Sequence, residues 1–306
     1  MSRIRIYGAI MFSMVFWALS FVWFKIANET LRPLTIVFFR LILAVLLLNI
    51  YLVIKGKFQK IKKKDRMMFF WLAVFEPFLY FIGESNGLTY VSSTTGSVLI
   101  STIPVIASIA AWIVFREKLR LINYAGIVLS FLGIIVFVLS PGGKLSFNIT
   151  GLLLLGLAVV SAVGYNLTLS RLVGSYSPVF IVYVQNVIGA ILFLPIFFIT
   201  EFRELSLSAL TFKSLLPVVE LSVFASCGAF ILFAFSVRDL GVTKANAFTN
   251  FIPIFTAIFA FFIMDEQFTV QKIAGMVIVI TGLFLSQSDK KVKPTDDALL
   301  LTGKTA

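Results

Sequence analysis

Residues 34–54 read LTIVFFRLILAVLLLNIYLVI, a run in which Arg40 is the only charged side chain. A helix rises about 1.5 Å per residue, so about 20 apolar residues cross the roughly 30 Å hydrocarbon core of a membrane. Nine further stretches of similar character lie at about residues 6–27, 67–88, 93–115, 122–139, 150–171, 177–200, 215–237, 244–264 and 272–287. The sequence therefore predicts an all-α integral membrane protein with ten transmembrane helices.

Composition supports the same class. Hydrophobic residues make up 59% of the 306 residues and charged residues only 13%, against about 45–50% and about 25% in soluble domains. Strands of a membrane β-barrel would alternate in polarity instead. The first apolar run extends to about Ala27, longer than the core of a signal peptide, and predicts an uncleaved first helix.

The formal charge of +12 indicates how the chain is oriented in the membrane rather than nucleic-acid binding, because the basic residues fall in short loops between the spans. Of the 26 Lys and Arg residues, Lys25 and Arg40 lie inside spans. Five more lie in loops on one side of the membrane: Arg32, Lys144, Arg203, Lys213 and Lys272. The remaining 19 lie on the side of the N-terminus. This asymmetry predicts a multi-pass protein of the cell membrane with both termini in the cytoplasm.

The two halves of the chain repeat each other. A shift of 149 residues superimposes identical residues in four places: Pro104 and Pro253, Glu117 and Glu266, Gly126 and Gly275, and Gly133 and Gly282. Shifts of 145 and 143 do the same for Pro33 and Pro178 and for Gly8 and Gly151. Five spans per half make the second copy enter the membrane from the opposite side. We therefore predict two inverted repeats, residues 1–140 and 150–287, and a polar, disordered cytoplasmic tail at 288–306.

Particular motifs carry a resemblance to a known family. The first half has Phe16-Trp17-Ala18-Leu19-Ser20-Phe21 with Lys25, then Pro33 with Phe39-Arg40, Ile103-Pro104, Arg116-Glu117-Lys118-Leu119, Gly126 and Gly133. The second half has Ile252-Pro253, Asp265-Glu266-Gln267-Phe268, Gly275 and Gly282. In this order the motifs resemble EamA-type transporters of the drug/metabolite transporter superfamily, over about residues 5 to 287.

The resemblance implies ten helices, cytoplasmic termini and a central cavity between the halves. It also implies export, or sometimes import, of amino acids and other small metabolites. The halves depart from strict duplication where Arg40 corresponds to Gln185 and Lys25 to Thr168. We therefore expect them to contribute unequally to any ionic site.

Polar residues inside the spans are the candidates for a substrate pathway. In the fourth helix Thr94, Ser97, Ser101 and Pro104 recur at helical spacing, and in the ninth Asn246, Asn250 and Pro253 correspond to them. Each proline frees a backbone carbonyl that can face a cavity. Trp17 and Ser20 of the first helix and Tyr165 and Asn166 of the sixth could close around a small solute. Packing between helices through small or aromatic residues is the alternative.

Ionisable residues within hydrocarbon give the sharpest signal. Glu76 lies about 14 Å into the third span, and Tyr80 and Glu84 follow at four-residue steps. Arg40 and Glu84 share a depth and are predicted to form an intramembrane ion pair, structural or functional. Lys25 is expected to extend to the membrane interface, and Glu117 and Glu266 to lie at helix ends or in loops.

These features favour a secondary transporter that exports small metabolites, with amino acids or related compounds as the best candidates. A small solute, the lipid bilayer and protons are the expected partners; nucleic acid is not. No cofactor or metal site is predicted, because histidine is absent and every aspartate lies in a loop or the tail. Cys227, the single cysteine, is expected to pack as a small buried residue. A membrane receptor or scaffold and a membrane-embedded enzyme are the alternatives.

Overall fold

The computed structural model describes residues 3–107, 109, 121–138 and 148–286. These residues form ten apolar helices. The first half contains α1 (Arg3–Ala27), α2 (Pro33–Lys55), α3 (Lys63–Tyr90), α4 (Ser93–Ala107) and α5 (Leu121–Val138). The second half contains α6 (Ile149–Leu172), α7 (Pro178–Thr200), α8 (Phe212–Leu240), α9 (Val242–Met264) and α10 (Val270–Ser286).

Seven of these helices are long and apolar enough to cross a membrane, and α4, α5 and α10 are shorter over their described residues. The predicted all-α fold, with ten transmembrane helices in two inverted repeats, is confirmed. The tail at 288–306, the end of the fourth predicted span and Glu117 lie outside the described residues.

Helix ends follow the local sequence. Pro33 and Pro178 begin α2 and α7, where a missing backbone N–H costs nothing. Ser92 and Ser177 cap α4 and α7 with their side-chain oxygens. Gly241 is the single residue between α8 and α9. Its φ of 83° is one that glycine adopts without strain. Local sequence thus sets where these helices begin and end.

The packing of the helices shows the two-fold symmetry expected of an inverted repeat, in which each helix can be exchanged for its counterpart in the other half. Helix α1 packs against α8 and α9, and its counterpart α6 packs against α3 and α4. Helix α2 packs against its own counterpart α7, and α5 against its counterpart α10. Each contact between the halves therefore has a partner related by a two-fold exchange.

The α5–α10 crossing shows this exchange at single residues. A Cβ atom on Gly133 would lie 2.5 Å from the backbone nitrogen of Val279, and one on Gly282 would lie 2.7 Å from Ser130 Oγ. Shifting either contact by 149 residues produces the other. A second set follows the same rule: Gly126 with Ser286, and Gly275 with Phe137. The repeated glycines thus let two backbones approach closely, as small residues do in membrane helix interfaces.

Four helices are irregular near their middle, in repeat-related pairs. Helix α3 contains a π-helical segment, Val74–Leu79, and α8 contains another, Leu221–Ala229. Helix α4 is interrupted by a turn at residues 101–102, and α9 by a 3₁₀ segment, Phe248–Phe251. Irregular backbone within a membrane is tolerated where it is buried in protein or lines a cavity. These interruptions are next to the site described below.

Candidate functional site

A cavity lies between the two halves, lined by α1, α2, α3 and α4 of the first and α6, α8 and α9 of the second. Nine residues singled out from the sequence line it: Trp17, Ser20, Arg40, Glu76, Tyr80, Glu84, Tyr165, Asn166 and Asn246. The space that the centre of a water-sized sphere can occupy inside it measures about 50 Å³. One water needs about 10–15 Å³ on that measure. The cavity therefore has room for a few waters and must widen to admit a metabolite.

Arg40 is the positive charge of the cavity, and its side chain is held in place on two sides. Its Nε donates a hydrogen bond to Ser226 Oγ at 2.9 Å, and its guanidinium carbon lies 4.3 Å from the centre of the Phe81 ring. The residue is 3% exposed. A guanidinium over an aromatic face is stabilised by the ring quadrupole. Its remaining N–H donors are thereby oriented for another acceptor.

Arg40 and Glu84 face the same cavity without touching. Within the described ranges no carboxylate oxygen lies within 4.0 Å of the Arg40 guanidinium. Glu84 instead accepts a hydrogen bond from the Tyr80 hydroxyl at 2.9 Å. The ion pair predicted from their shared depth is therefore not a direct contact, because each side chain is oriented by a different neighbour.

Glu76 enters the cavity from the π-helical segment of α3. Its backbone leaves the helical region, at φ −150° and ψ 120°, and Pro77 follows it. Glu76 is 6% exposed, and among the described residues no hydrogen bond to its carboxyl group is formed. Among the described residues, the cavity thus holds two carboxyl groups and one guanidinium. One carboxyl is left to bind a cation or a proton.

Two amide groups complete the polar lining. The side-chain carbonyl oxygens of Asn166 and Asn246 are fully buried, with no hydrogen-bond partner in the part of the chain that the structure describes. Buried polar atoms are nearly always paired, so an exception at a cavity wall needs an explanation. A bound solute that donates hydrogen bonds would supply the missing partners.

Aromatic rings form the apolar wall. Trp17 lies 5.2 Å from Phe230 and 5.0 Å from Phe233, measured between ring centres, and Tyr165 lies 5.9 Å from Phe230. The Tyr165 hydroxyl donates to Gln185 Oε1 at 3.4 Å. The rings are therefore held by one another and present a flat surface to a solute.

Four predicted pathway residues do not reach the cavity: Thr94, Ser97, Ser101 and Asn250. All are buried between helices. The hydroxyl groups of Ser97 and Ser101 donate to the carbonyl oxygens of Thr94 and Val98, three residues earlier, at 2.9 and 2.7 Å. The polar face of α4 thus packs inside the bundle. Pro104 and Pro253 each follow a helix interruption, at the second residue of the resumed helix.

Half of the lining residues were not predicted from the sequence. These nine are mainly apolar: Phe21, Phe81, Ile100, Ile103, Ala162, Phe230, Phe233, Thr249 and Ile252. The chain has 34 phenylalanines, so no single one attracts attention. Thr249 lies one turn after Asn246, and that spacing could have indicated it. Ser226 could have been found only from the orientation of Arg40.

Two side-chain hydrogen bonds join the helices at the end of the bundle where α1 and α3 finish. The Lys25 ammonium donates to the Leu88 carbonyl at 2.7 Å, whereas the sequence predicted that it would extend to the interface. Ser92 Oγ donates to Glu266 Oε1 at 2.6 Å. Glu266 lies in the connection after α9, as expected from its position at a span end. Because α3 ends at Tyr90, the Leu88 carbonyl lies in its last turn and can accept the hydrogen bond from Lys25.

The sequence model of the EamA-like transporter family matches the chain twice, over residues 4–139 and 149–287. The chain belongs to this family. It is a multi-pass membrane protein and a membrane transporter, as its relatives also indicate.

Curated relatives of this EamA-like transporter cover nearly the whole chain. An uncharacterized transporter of Archaeoglobus fulgidus is 27% identical over 89% of this chain and 95% of its own length. The uncharacterized transporter YcxC of Bacillus subtilis is 26% identical over 94% of both chains. A WAT1-related chloroplastic protein of Arabidopsis thaliana is 26% identical over 88% of this chain and 66% of its own. A crystal structure of a protein with 12% identity matches at a TM-score of 0.65, over 93% of this chain and 97% of that one, which supports the fold alone.

Proposed function

We propose that this EamA-like transporter exports amino acids or closely related zwitterionic metabolites across the cytoplasmic membrane by alternating access. One observation carries the proposal. The cavity between the two halves presents a guanidinium with no carboxylate partner among the described residues, and a carboxyl group, Glu76, with no hydrogen bond there. A zwitterion carries the two complementary charges.

The binding mode follows from this arrangement. Arg40 would donate hydrogen bonds to the solute carboxylate, because a guanidinium matches it with two parallel N–H donors. Glu76 would bind the solute ammonium, and the carbonyl oxygens of Asn166 and Asn246 would take remaining N–H groups. The wall of Trp17 and its neighbouring rings would cover the solute side chain. Buried charges in a membrane are costly unless paired, so occupancy would compensate both groups.

Movement through the membrane would come from the two repeats rocking around this site. The small volume of the cavity and the Lys25–Leu88 and Ser92–Glu266 contacts at one end support a closed state. Those contacts would break when that end opens. Interrupted helices next to the cavity supply the backbone that can adjust.

Protons are the proposed coupling ion. The cavity has one carboxyl group more than its arginine can neutralise, and Glu76 is the one without a hydrogen bond in the described residues. A proton on Glu76 would be exchanged for the solute ammonium as the cavity faces each side in turn. Export is the proposed direction, because the family resemblance implies it more often than import.

Both termini would lie in the cytoplasm, and the chain would divide into two repeats and a tail. The excess of basic residues on the N-terminal side supports cytoplasmic termini. Residues 1–140 and 150–287 would be the repeats that rock, and 288–306 a cytoplasmic tail.

The test is uptake of a panel of labelled amino acids, nucleobases and sugars into proteoliposomes that contain the purified protein. We expect at least one amino acid to enter faster than into empty liposomes, with competition by unlabelled amino acids. Uptake of sugars or nucleobases alone would contradict the assignment to zwitterions.

A further inference from the structure

A second cavity is open at the surface of the protein, between α3 and α6. It has a volume of about 570 Å³ for the centre of a water-sized sphere. Met67, Met68, Trp71, Phe75 and Leu167 form its apolar wall, and Lys64 and Arg171 also line it. We call it the α3–α6 groove. It lies toward the end of the bundle where α3 begins and α6 finishes.

The Phe75 ring forms the floor of the groove and packs directly on Gly164, which has no side chain to displace it. A Cβ atom on Gly164 would lie 2.7 Å from the Phe75 ring, so a side chain there would displace that ring. Above this floor Met67, Trp71 and Leu167 are 64%, 48% and 50% exposed. The groove thus offers apolar surface to the hydrocarbon of the bilayer.

The basic end of the groove lacks counter-charges. Lys64 and Arg171 are both exposed, and neither has a carboxylate within 4.0 Å in the ranges that the structure covers. Lys64 lies in the first turn of α3, within the basic loop and helix start at 55–66 that contain seven basic residues and one acid, Asp65. Basic clusters next to a membrane helix attract anionic lipids, by about 1 kcal/mol per Lys or Arg near the surface. The field at this end of the groove therefore favours an anion.

The basic loop is fixed before any ligand arrives. The Tyr176 hydroxyl donates to Asp65 Oδ2 at 2.7 Å and accepts from the Lys62 N–H at 3.0 Å. The Ser177 N–H donates to Gln59 Oε1 at 2.7 Å. These bonds tie the loop to the connection between α6 and α7. Lys64 and Arg171 are thus held on adjoining elements, which lowers the ordering cost of binding.

The second half of the molecule keeps only one of the two charges. Helices α3 and α8 begin 149 residues apart, at Lys63 and Phe212, so Lys213 corresponds to Lys64. At the shift of 143 residues Asn28 corresponds to Arg171. Lys213 forms an ion pair with Glu29 at 3.2 Å, so the related surface of α1 and α8 does not repeat the two unpaired basic residues of the α3–α6 groove.

We propose that the α3–α6 groove binds one anionic phospholipid. Its phosphate lies between Lys64 and Arg171, and an acyl chain lies along Met67, Trp71 and Leu167. A lipid satisfies both requirements of the groove at once, because it joins an anion to a long apolar chain. Phe75 connects the groove to Glu76 of the central cavity, so the bound lipid also packs against the irregular segment of α3.

The test uses the full chain, purified in detergent and stripped of lipid, and thermal unfolding as the readout. Phosphatidylglycerol should raise the unfolding temperature in a saturable way. In the double variant Lys64→Gln/Arg171→Gln the half-saturating concentration should rise by about tenfold or more. The matched control Lys57→Gln/Lys60→Gln also loses two positive charges, both from residues 55–66, at two exposed positions outside the groove. It should keep wild-type half-saturation.

Three probes distinguish the sources of binding. Phosphatidylcholine with identical acyl chains and glycerol 3-phosphate without them should each protect far less than phosphatidylglycerol. Equal protection by glycerol 3-phosphate would make this a phosphate site and overturn the lipid. Equal protection by phosphatidylcholine, or equal weakening in the control variant, would reduce the effect to non-specific attraction and also overturn the proposal. None of these outcomes depends on transport.

Discussion

Replacing Arg40 by methionine should remove the recognition of the solute carboxylate while leaving the apolar contacts of the cavity in place. The guanidinium is held by Ser226 and Phe81 and has no carboxylate within 4.0 Å among the described residues, so its remaining N–H donors are available to the solute carboxylate of the proposed binding mode. A hydrogen bond to a charged group contributes about 1.5–3 kcal/mol. We therefore expect Arg40→Met to weaken binding of an amino acid by about 10- to 150-fold.

The assay compares an amino acid with its carboxamide as competitors of uptake into proteoliposomes. The wild-type protein should prefer the acid, and Arg40→Met should lose that preference because only the acid has a carboxylate. Ser226→Ala is the matched control, since it removes one partner of Arg40 and keeps the charge. It should retain the preference for the acid.

Stability should change less than recognition. Arg40→Met removes the 2.9 Å hydrogen bond and the contact with the Phe81 ring, but it also removes the cost of burying a charge. A small shift of the unfolding temperature should therefore accompany the large loss of preference. If Arg40→Met weakens the acid and the carboxamide by the same factor, Arg40 does not bind the carboxylate and the reasoning is wrong.

Three further predictions concern coupling, packing and topology. Glu76→Gln should preserve the fold, lower transport and flatten its dependence on pH between about 5.5 and 8.5; a wild-type pH profile in proteoliposomes would leave Glu76 with a structural role. Gly133→Ala should lower the unfolding temperature, because overpacking costs about 1–3 kcal/mol and the new Cβ would lie 2.5 Å from a backbone nitrogen of α10. The control Gly156→Ala, with nothing within 4 Å, should not lower it, and equal losses would contradict the tight crossing. Reporter fusions within 55–66 should indicate cytoplasm and one after Lys144 the outside; a cytoplasmic signal at Lys144 would refute the inverted topology.

The helices and their repetition could be predicted from sequence because a membrane leaves the chain few choices. Each span must be about 20 apolar residues long and satisfy its own backbone. The cost of charge in hydrocarbon likewise directs Arg40, Glu76 and Glu84 to the interior, and all three line the cavity. The cost of placing a charged side chain in hydrocarbon depends on that one residue and its position in the span, so it can be predicted from one sequence.

Side-chain partners were not predictable, because several physical solutions compete. Serines in a helix can bond to their own backbone, as Ser97 and Ser101 do, so a polar face need not line a pathway. Arg40 could reach Glu84 or Ser226 from the same depth, and only the helix orientations decide between them. The π-helical segment at Glu76 depends on packing by α6 and α7, which one helix sequence does not contain.

The most direct test of the account is counterflow in proteoliposomes loaded with an unlabelled amino acid and diluted into a trace of the labelled one. A carrier whose single site faces each side in turn should accumulate label transiently above equilibrium, and Arg40→Met should abolish that overshoot. Tight binding of an amino acid without any exchange across the bilayer would contradict transport and would favour a receptor.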